Sequence, residues 1–101
     1  MKFLVVNGPN LNFLGIREKG VYGSETYKDL VEYIKDVSGK LVEDIEIKQS
    51  NNEGEIIDFL QKAYHDKVDG IIINPGAYTH YSYAIYDALK EVAEELNCLF
   101  V

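Results

Sequence analysis

One cysteine, two histidines and a single arginine stand in a chain of 101 residues, and each scarcity excludes a class of protein. With Cys98 alone, no internal disulfide framework can form, which suits a reducing compartment such as the cytoplasm. His65, His80 and Cys98 are scattered without metal-ligand spacing, so no metal is expected. Ten basic residues oppose 17 acidic ones, a net charge of −7. Nucleic acid binding needs clustered Lys and Arg to displace counterions, so no nucleic acid partner is expected. No apolar run approaches the roughly 18 residues of a membrane span. The start, Met1 to Asn7, is interrupted too soon for a signal peptide, and no membrane association is expected. G-x-G-x-x-G, Walker and G-x-S-x-G patterns are missing too. Flavin binding thus has no phosphate-cradling loop behind it. A phospho-acceptor site of the response-regulator kind would need acidic groups where Asn7 and Asn74 stand.

What is present is a globular pattern, 47% apolar, expected to form one domain over residues 1–101. Residues 2–7 read as a buried strand, and residues 8–24 as an irregular loop of a length typical of lids. Thr26 offers a helix N-cap with Asp29 as an imperfect capping box. Leu30, Val31, Ile34 and Val37 follow at helical spacing, and Gly39 is placed to stop that helix. Residues 43–48 alternate, Ile45 and Ile47 against Glu46 and Lys48, as an edge strand does. Asn52 and Glu55 fit a second N-cap, before the stripe Ile56, Ile57, Leu60, Ala63 and Tyr64. Residues 70–74 are apolar enough for a central strand covered on both faces. A third helix runs from about Ser82 to Leu96, with Ile85, Ala88, Leu89, Val92, Ala93 and Leu96 inward. Residues 98–101 begin a fourth strand. This β-α-β-α-β-α-β order predicts an α/β fold: a flavodoxin-like parallel sheet, strand order 2-1-3-4, with its ligand crevice between strands one and three.

Both central strands run into neutral polar loops. The first gives Asn7-Gly8-Pro9-Asn10-Leu11-Asn12, the third Asn74-Pro75-Gly76-Ala77-Tyr78-Thr79-His80. Either is a plain strand-to-loop turn or a set of donors for developing negative charge; Asn10 and Asn12 suit an enolate. His80, near a helix start, is either a capping or packing histidine or a donor to a substrate hydroxyl. Arg17 and Tyr22 lie on the long loop. A free phenol has a pKa of about 10, and a guanidinium within about 4–6 Å lowers a pKa by roughly 1–3 units. The pair is then either a phenolate base for a carbon acid or a solvated arginine beside a packed tyrosine. Tyr78, Tyr81, Tyr83 and Tyr86 read as structural, some at a subunit interface. Asp87 and Ser82 share a helix that can reach a neighbouring subunit. His65 reads as a structural residue at a helix C-terminus.

Taken together, Asn7-Gly8-Pro9-Asn10-Leu11-Asn12, Gly15-x-Arg17-Glu18, Tyr22-Gly23, Gln49-Ser50-Asn51, Glu53-Gly54-Glu55 and Ile73 to His80 resemble type II 3-dehydroquinate dehydratase, in the same order along the whole chain. That resemblance implies a hydro-lyase of the shikimate pathway of aromatic amino acid biosynthesis. It implies anti elimination of water from 3-dehydroquinate through an enolate, with no cofactor. Tyr22 is then the base at C2, Arg17 lowers its pKa, and Asn10 steadies the enolate through a water. Asn74, Ala77 and His80 bind substrate, and Asp87 reaches the neighbouring site of a homo-oligomer, a trimer or dodecamer. Two departures accompany the resemblance. Tyr86 stands where the family usually has arginine. Members also continue past the fourth strand with a Glu-Val-His-x-Ser segment, an arginine-bearing stretch, a fifth strand and a terminal helix. The chain stops at Val101, ahead of the histidine that serves as general acid and the backbone that holds the substrate carboxylate. The expectation is therefore a dehydratase chain nearly inactive by itself. The alternative is a catalytically incomplete fragment or assembly subunit of the same fold, needing a C-terminal segment in trans.

Overall fold

A computed structural model describes residues 1–13, 26–39, 44–80, 82–97 and 99–100. Four parallel strands form one sheet: β1 (Lys2–Asn7), β2 (Asp44–Gln49), β3 (Gly70–Asn74) and β4 (Leu99–Phe100), in the order β2-β1-β3-β4. The helices are α1 (Tyr27–Ser38), α2 (Glu53–Asp66) and α3 (Tyr83–Leu96). The sheet is the flavodoxin-like one expected, with β1 and β3 central and the alternating strand β2 at the edge.

Alternation sorts the strands between two faces. Leu4 and Val6 of β1 and Ile71 of β3 are buried in one cluster with Ile56, Leu60 and Ala63 of α2 and Ile85, Leu89 and Val92 of α3. Val6, Ile56, Leu60 and Ile71 are fully buried, each worth about 1.5–3 kcal/mol relative to exposure. Helices α2 and α3 pack against one another over this face. Phe3, Val5 and Asn7 point the other way. Their register partners Ile45, Ile47 and Gln49 on β2, and Gly70, Ile72 and Asn74 on β3, share that face. Ile72 is 43% exposed there, so β3 is not covered on both sides as its composition suggests. Of its triple isoleucine, Ile71 belongs to the helix-side cluster and Ile73 packs against it.

Local chemistry explains the helix boundaries. At α1, Thr26 Oγ1 accepts from the Asp29 N–H at 3.2 Å and Asp29 Oδ2 accepts from the Thr26 N–H at 3.0 Å. Asp29 thus completes a reciprocal capping box usually made by Glu or Gln. Gly39 follows the helix in a right-handed conformation, φ −58°, and donates to the Lys35 carbonyl. Val37, expected with the apolar stripe of α1, is 43% exposed, while Leu30, Val31 and Ile34 are half-buried. Asn52 caps α2 by accepting from the Glu55 N–H at 3.0 Å. Within the loop after β1, Leu11–Phe13 closes a short 3₁₀ turn, and residues 14–24 of that loop lie outside the described residues.

Candidate active site

Three amides end three neighbouring strands in one row. Asn7 pairs in register with Gln49 on one side and Asn74 on the other. At about 4.8 Å between strands, the row spans roughly 10 Å at the carboxyl edge of the sheet. This is where ligands bind in open α/β folds.

The loops after β1 and β3 touch through their backbones. The Gly8 N–H donates to the Asn74 carbonyl at 2.7 Å. A Cβ on Gly8 would lie 2.8 Å from the Pro75 carbonyl carbon and oxygen and 2.9 Å from the Asn74 oxygen. Only glycine permits this approach. Gly76 meets Pro9 in the same way, at φ +60° and with its Cβ position 3.3 Å from the Pro9 oxygen. The crevice expected between strands one and three is therefore closed at its base by main-chain contact, and both polar loops rise from it.

Asn7 is 4% exposed and faces inward: its Nδ2 donates to the Tyr27 hydroxyl at 3.4 Å, and its carbonyl accepts from the Ser50 N–H at 3.0 Å. It binds α1 and β2 to the sheet edge. Asn10 adopts φ 70°, a left-handed conformation that asparagine tolerates better than most residues. Its N–H donates to Asn51 Oδ1 at 2.9 Å, and its carbonyl accepts from the Phe13 N–H at 3.0 Å. Gln49 Nε2 shares its hydrogens among the Gly8 carbonyl at 3.1 Å, Asn51 Oδ1 at 3.2 Å and Asn12 Oδ1 at 3.4 Å.

The second loop is tied down twice. Tyr78 OH donates to the Asn51 carbonyl at 3.2 Å. Ser82 donates to the Glu53 carboxylate through Oγ, which also accepts from the Ile85 N–H at 3.2 Å to cap α3. Sequence reasoning directs Ser82 toward a neighbouring subunit. It is instead 8% exposed and occupied by its own chain.

Of the expected site residues, Asn10, Asn74 and Ala77 lie at this carboxyl edge, on the two joined loops. The backbone of His80 closes the 3₁₀ turn Gly76–His80 on the second loop, and its side chain lies outside the described residues. Arg17, Tyr22 and Tyr81 also lie outside them. Asp87 is exposed on α3, with Tyr83 and Tyr86 exposed on the same helix. Gln49 and Asn51 carry more of the hydrogen bonding than motif spacing suggests. Their signal is positional: like Asn7 and Asn74, Gln49 is an amide at the last residue of a strand.

The groups named at this edge are amides, hydroxyls and main chain, apart from the Glu53 carboxylate behind Ser82. Among the described residues, the displaced titrations lie at the opposite edge. There Lys62 hydrogen-bonds Asp66 at 2.7 Å, holding the Asp66 carboxyl below its ordinary range and raising the Lys62 ammonium above its own. Among the described residues, no group of three His, Cys, Asp or Glu is placed to hold a metal ion, and no helix is long and apolar enough to cross a membrane.

Comparison with known proteins adds lineage to this geometry. The family described as dehydroquinase class II matches residues 1–98. A 3-dehydroquinate dehydratase of Clostridium acetobutylicum is 66% identical over 92 residues, 91% of this chain and 63% of that protein. The crystal structure of a type II dehydroquinase from Butyrivibrio crossotus superposes with a TM-score of 0.85 at 59% identity, covering 92% of this chain and 64% of that one. A type II dehydroquinase from Propionibacterium acnes gives 0.82 at 37% identity, over 90% and 62%. The chain spans about 63% of the length of the curated relatives it matches. Since the match runs through all three helices and the strand ends that bear the amide row, the chain belongs to the type II dehydroquinase family.

Proposed function

We propose that this chain supplies the proton-abstraction half of a 3-dehydroquinate dehydratase site of the shikimate pathway, acting in the cytoplasm within a homo-oligomer. Tyr22, as phenolate, takes the C2 proton, and Arg17 holds that phenol acidic. The electron pair left on C2 forms an enolate, which Asn10 stabilises by hydrogen bonding through a water. Asn74, Ala77 and His80 bind the substrate, and Asp87 reaches a neighbouring site. The hydroxyl at C1 leaves with a proton from a general acid, the histidine that the resemblance assigns beyond Val101, and water is released. The single domain of residues 1–101 then carries base, enolate stabiliser and ring contacts.

The observation that carries this reading is the 2.7 Å Gly8–Asn74 bond, which sets the loops of Asn10 and of Asn74 to His80 side by side. Family membership supplies the reaction. Neutral donors suit an enolate, because they favour developing charge without presenting a full positive charge to the neutral ground-state carbonyl.

The test is absorbance of the conjugated enone product after 3-dehydroquinate is added. Because this reading takes the general acid from outside residues 1–101, those residues tested by themselves should show little turnover, a general acid being worth about 10²–10⁴ in rate. Joining the chain to the C-terminal part of the Clostridium acetobutylicum protein should restore turnover, and Tyr22→Phe should abolish it. A joined, folded chain without turnover, or one indifferent to Tyr22→Phe, refutes the reading. A second reading, an assembly subunit that takes a C-terminal segment in trans, draws on the 43% exposure of Ile72 in a central strand. Solution mass separates the two: a stable mixed complex without turnover favours the second.

A further inference from the structure

Two donors from different parts of the chain converge on one exposed atom. The Asn10 N–H at 2.9 Å and Gln49 Nε2 at 3.2 Å both point at Asn51 Oδ1. The same residue's main-chain carbonyl accepts from Tyr78 OH at 3.2 Å. Asn51 thus touches the loop after β1, the end of β2 and the turn after β3. Two donors on one side-chain atom also fix the amide's orientation, since only the oxygen can accept both.

We propose that Asn51 is a positioning residue of the site: it holds Asn10 in its left-handed placement and registers that placement against the loop bearing Asn74 to His80. The inference rests on the reading of Asn10 as the enolate stabiliser. A left-handed backbone costs an ordinary L-residue roughly 1–2 kcal/mol, and asparagine less, so it persists where neighbours determine it. For Asn10 the described determinants are two: the turn bond from the Phe13 N–H and the bond to Asn51. The first is local to the turn and sets only its shape. The second fixes where the turn stands relative to the sheet edge. Gln49, itself bonded to the Gly8 carbonyl at 3.1 Å, braces the acceptor against the base of the crevice. Tyr78 extends the bracing to the second loop. A movement of Asn51 therefore shifts the enolate donor relative to the ring-binding residues, and a misplacement of about 1 Å costs on the order of 10² in rate.

The placement is tested on the ¹⁵N-labelled 101-residue chain. In Asn51→Ala the Asn10 amide should move upfield and lose about fivefold of its hydrogen-exchange protection, the worth of one net hydrogen bond. Asn51→Asp keeps an acceptor oxygen and should preserve both. Resonances of α2 and α3 serve as the folding control. An Asn10 amide unmoved in folded Asn51→Ala overturns the proposal, whether or not the joined chain turns over.

The functional consequence is tested in the joined chain described above. Asn51→Ala should lower kcat about 10–100-fold with KM within about threefold, because the enolate exists only beyond the ground state. In an Asn10→Ala background the same change should cost less than about threefold more. An equal loss in both backgrounds means Asn51 acts by another route and overturns the proposal. So does a costly Asn10→Ala beside a harmless Asn51→Ala. A harmless Asn10→Ala in an active chain removes Asn10 from the mechanism and this inference with it, while leaving Tyr22 and Arg17 standing.

Discussion

Gly8→Ala should loosen the whole carboxyl edge of the sheet. The new Cβ would lie 2.8 Å from the Pro75 carbonyl carbon and oxygen and 2.9 Å from the Asn74 oxygen. Those neighbours are main chain and cannot swing aside as a side-chain end does. The loops must separate, which breaks the 2.7 Å bond from the Gly8 N–H to Asn74. Overpacking of this kind costs about 1–3 kcal/mol. The lost hydrogen bond costs about 0.5–1.5 kcal/mol. Alanine restricts the unfolded chain and returns about 0.4–1 kcal/mol. The net is a loss of about 2 kcal/mol, or a fall in Tm of roughly 8–16 °C for a domain of this size. Thermal unfolding followed by circular dichroism measures it. Gly54→Ala is the control, because the neighbour its Cβ would meet among the described residues is the end of a side chain, the capping oxygen of Asn52 at 3.2 Å, which can give by a few tenths of an ångström, in the first turn of a helix that favours alanine. Its Tm should hold or rise. If Gly8→Ala melts with the parent while Gly54→Ala behaves as expected, the contact between the loops is not what joins them.

Ser82→Ala removes the α3 cap and the partner of Glu53 together, and should cost about 1–2 kcal/mol in denaturant unfolding. Lys67 ends α2 in a left-handed conformation, φ 54°, so Lys67→Gly should raise Tm by about 3–6 °C; a fall would contradict that geometry. The Asp66 carboxyl, lowered chiefly by its hydrogen bond from Lys62, should titrate by ¹³C NMR below an ordinary aspartate, and Lys62→Met should raise its midpoint. Because its folded value is depressed, the pair's small contribution is present above the unfolded value of about 3.9 and is lost as pH falls through the folded one. Finally, Arg17→Met in the joined chain should raise the Tyr22 midpoint by about 1–3 units and lower kcat at neutral pH. An unchanged titration and turnover would remove the arginine from the mechanism.

Much of the frame is legible in the residues. Alternation in Ile45-Glu46-Ile47-Lys48 marks an edge strand, and β2 is one. Thr26 and Asn52 announce their caps, because capping is local chemistry within three residues. Ser82 is harder: its partner Glu53 lies 29 residues away, and surrounding tyrosines suggest an interface instead. The open side of β3 is also illegible, since Ile71, Ile72 and Ile73 are identical and only the packing of helices separates them. At the site, the strand-end loops can be read from Asn7 and Asn74. The convergence on Asn51 cannot, because it joins segments up to 41 residues apart. Arg17 and Tyr22 lie outside the described residues, so their pairing rests on motif and family alone.

The pairing of Asn7 with Asn74 links folding to chemistry through a single ruler. Slide β3 by one position and every side chain on it changes sides. Ile72 would then compete for the interior while Ile71 and Ile73 turned to the open face, and proline or isoleucine would stand level with Asn7. The greasy residues that exclude water thereby also keep the amides in line, and drift in the interior would be felt at the strand tips as misalignment before it was felt as unfolding.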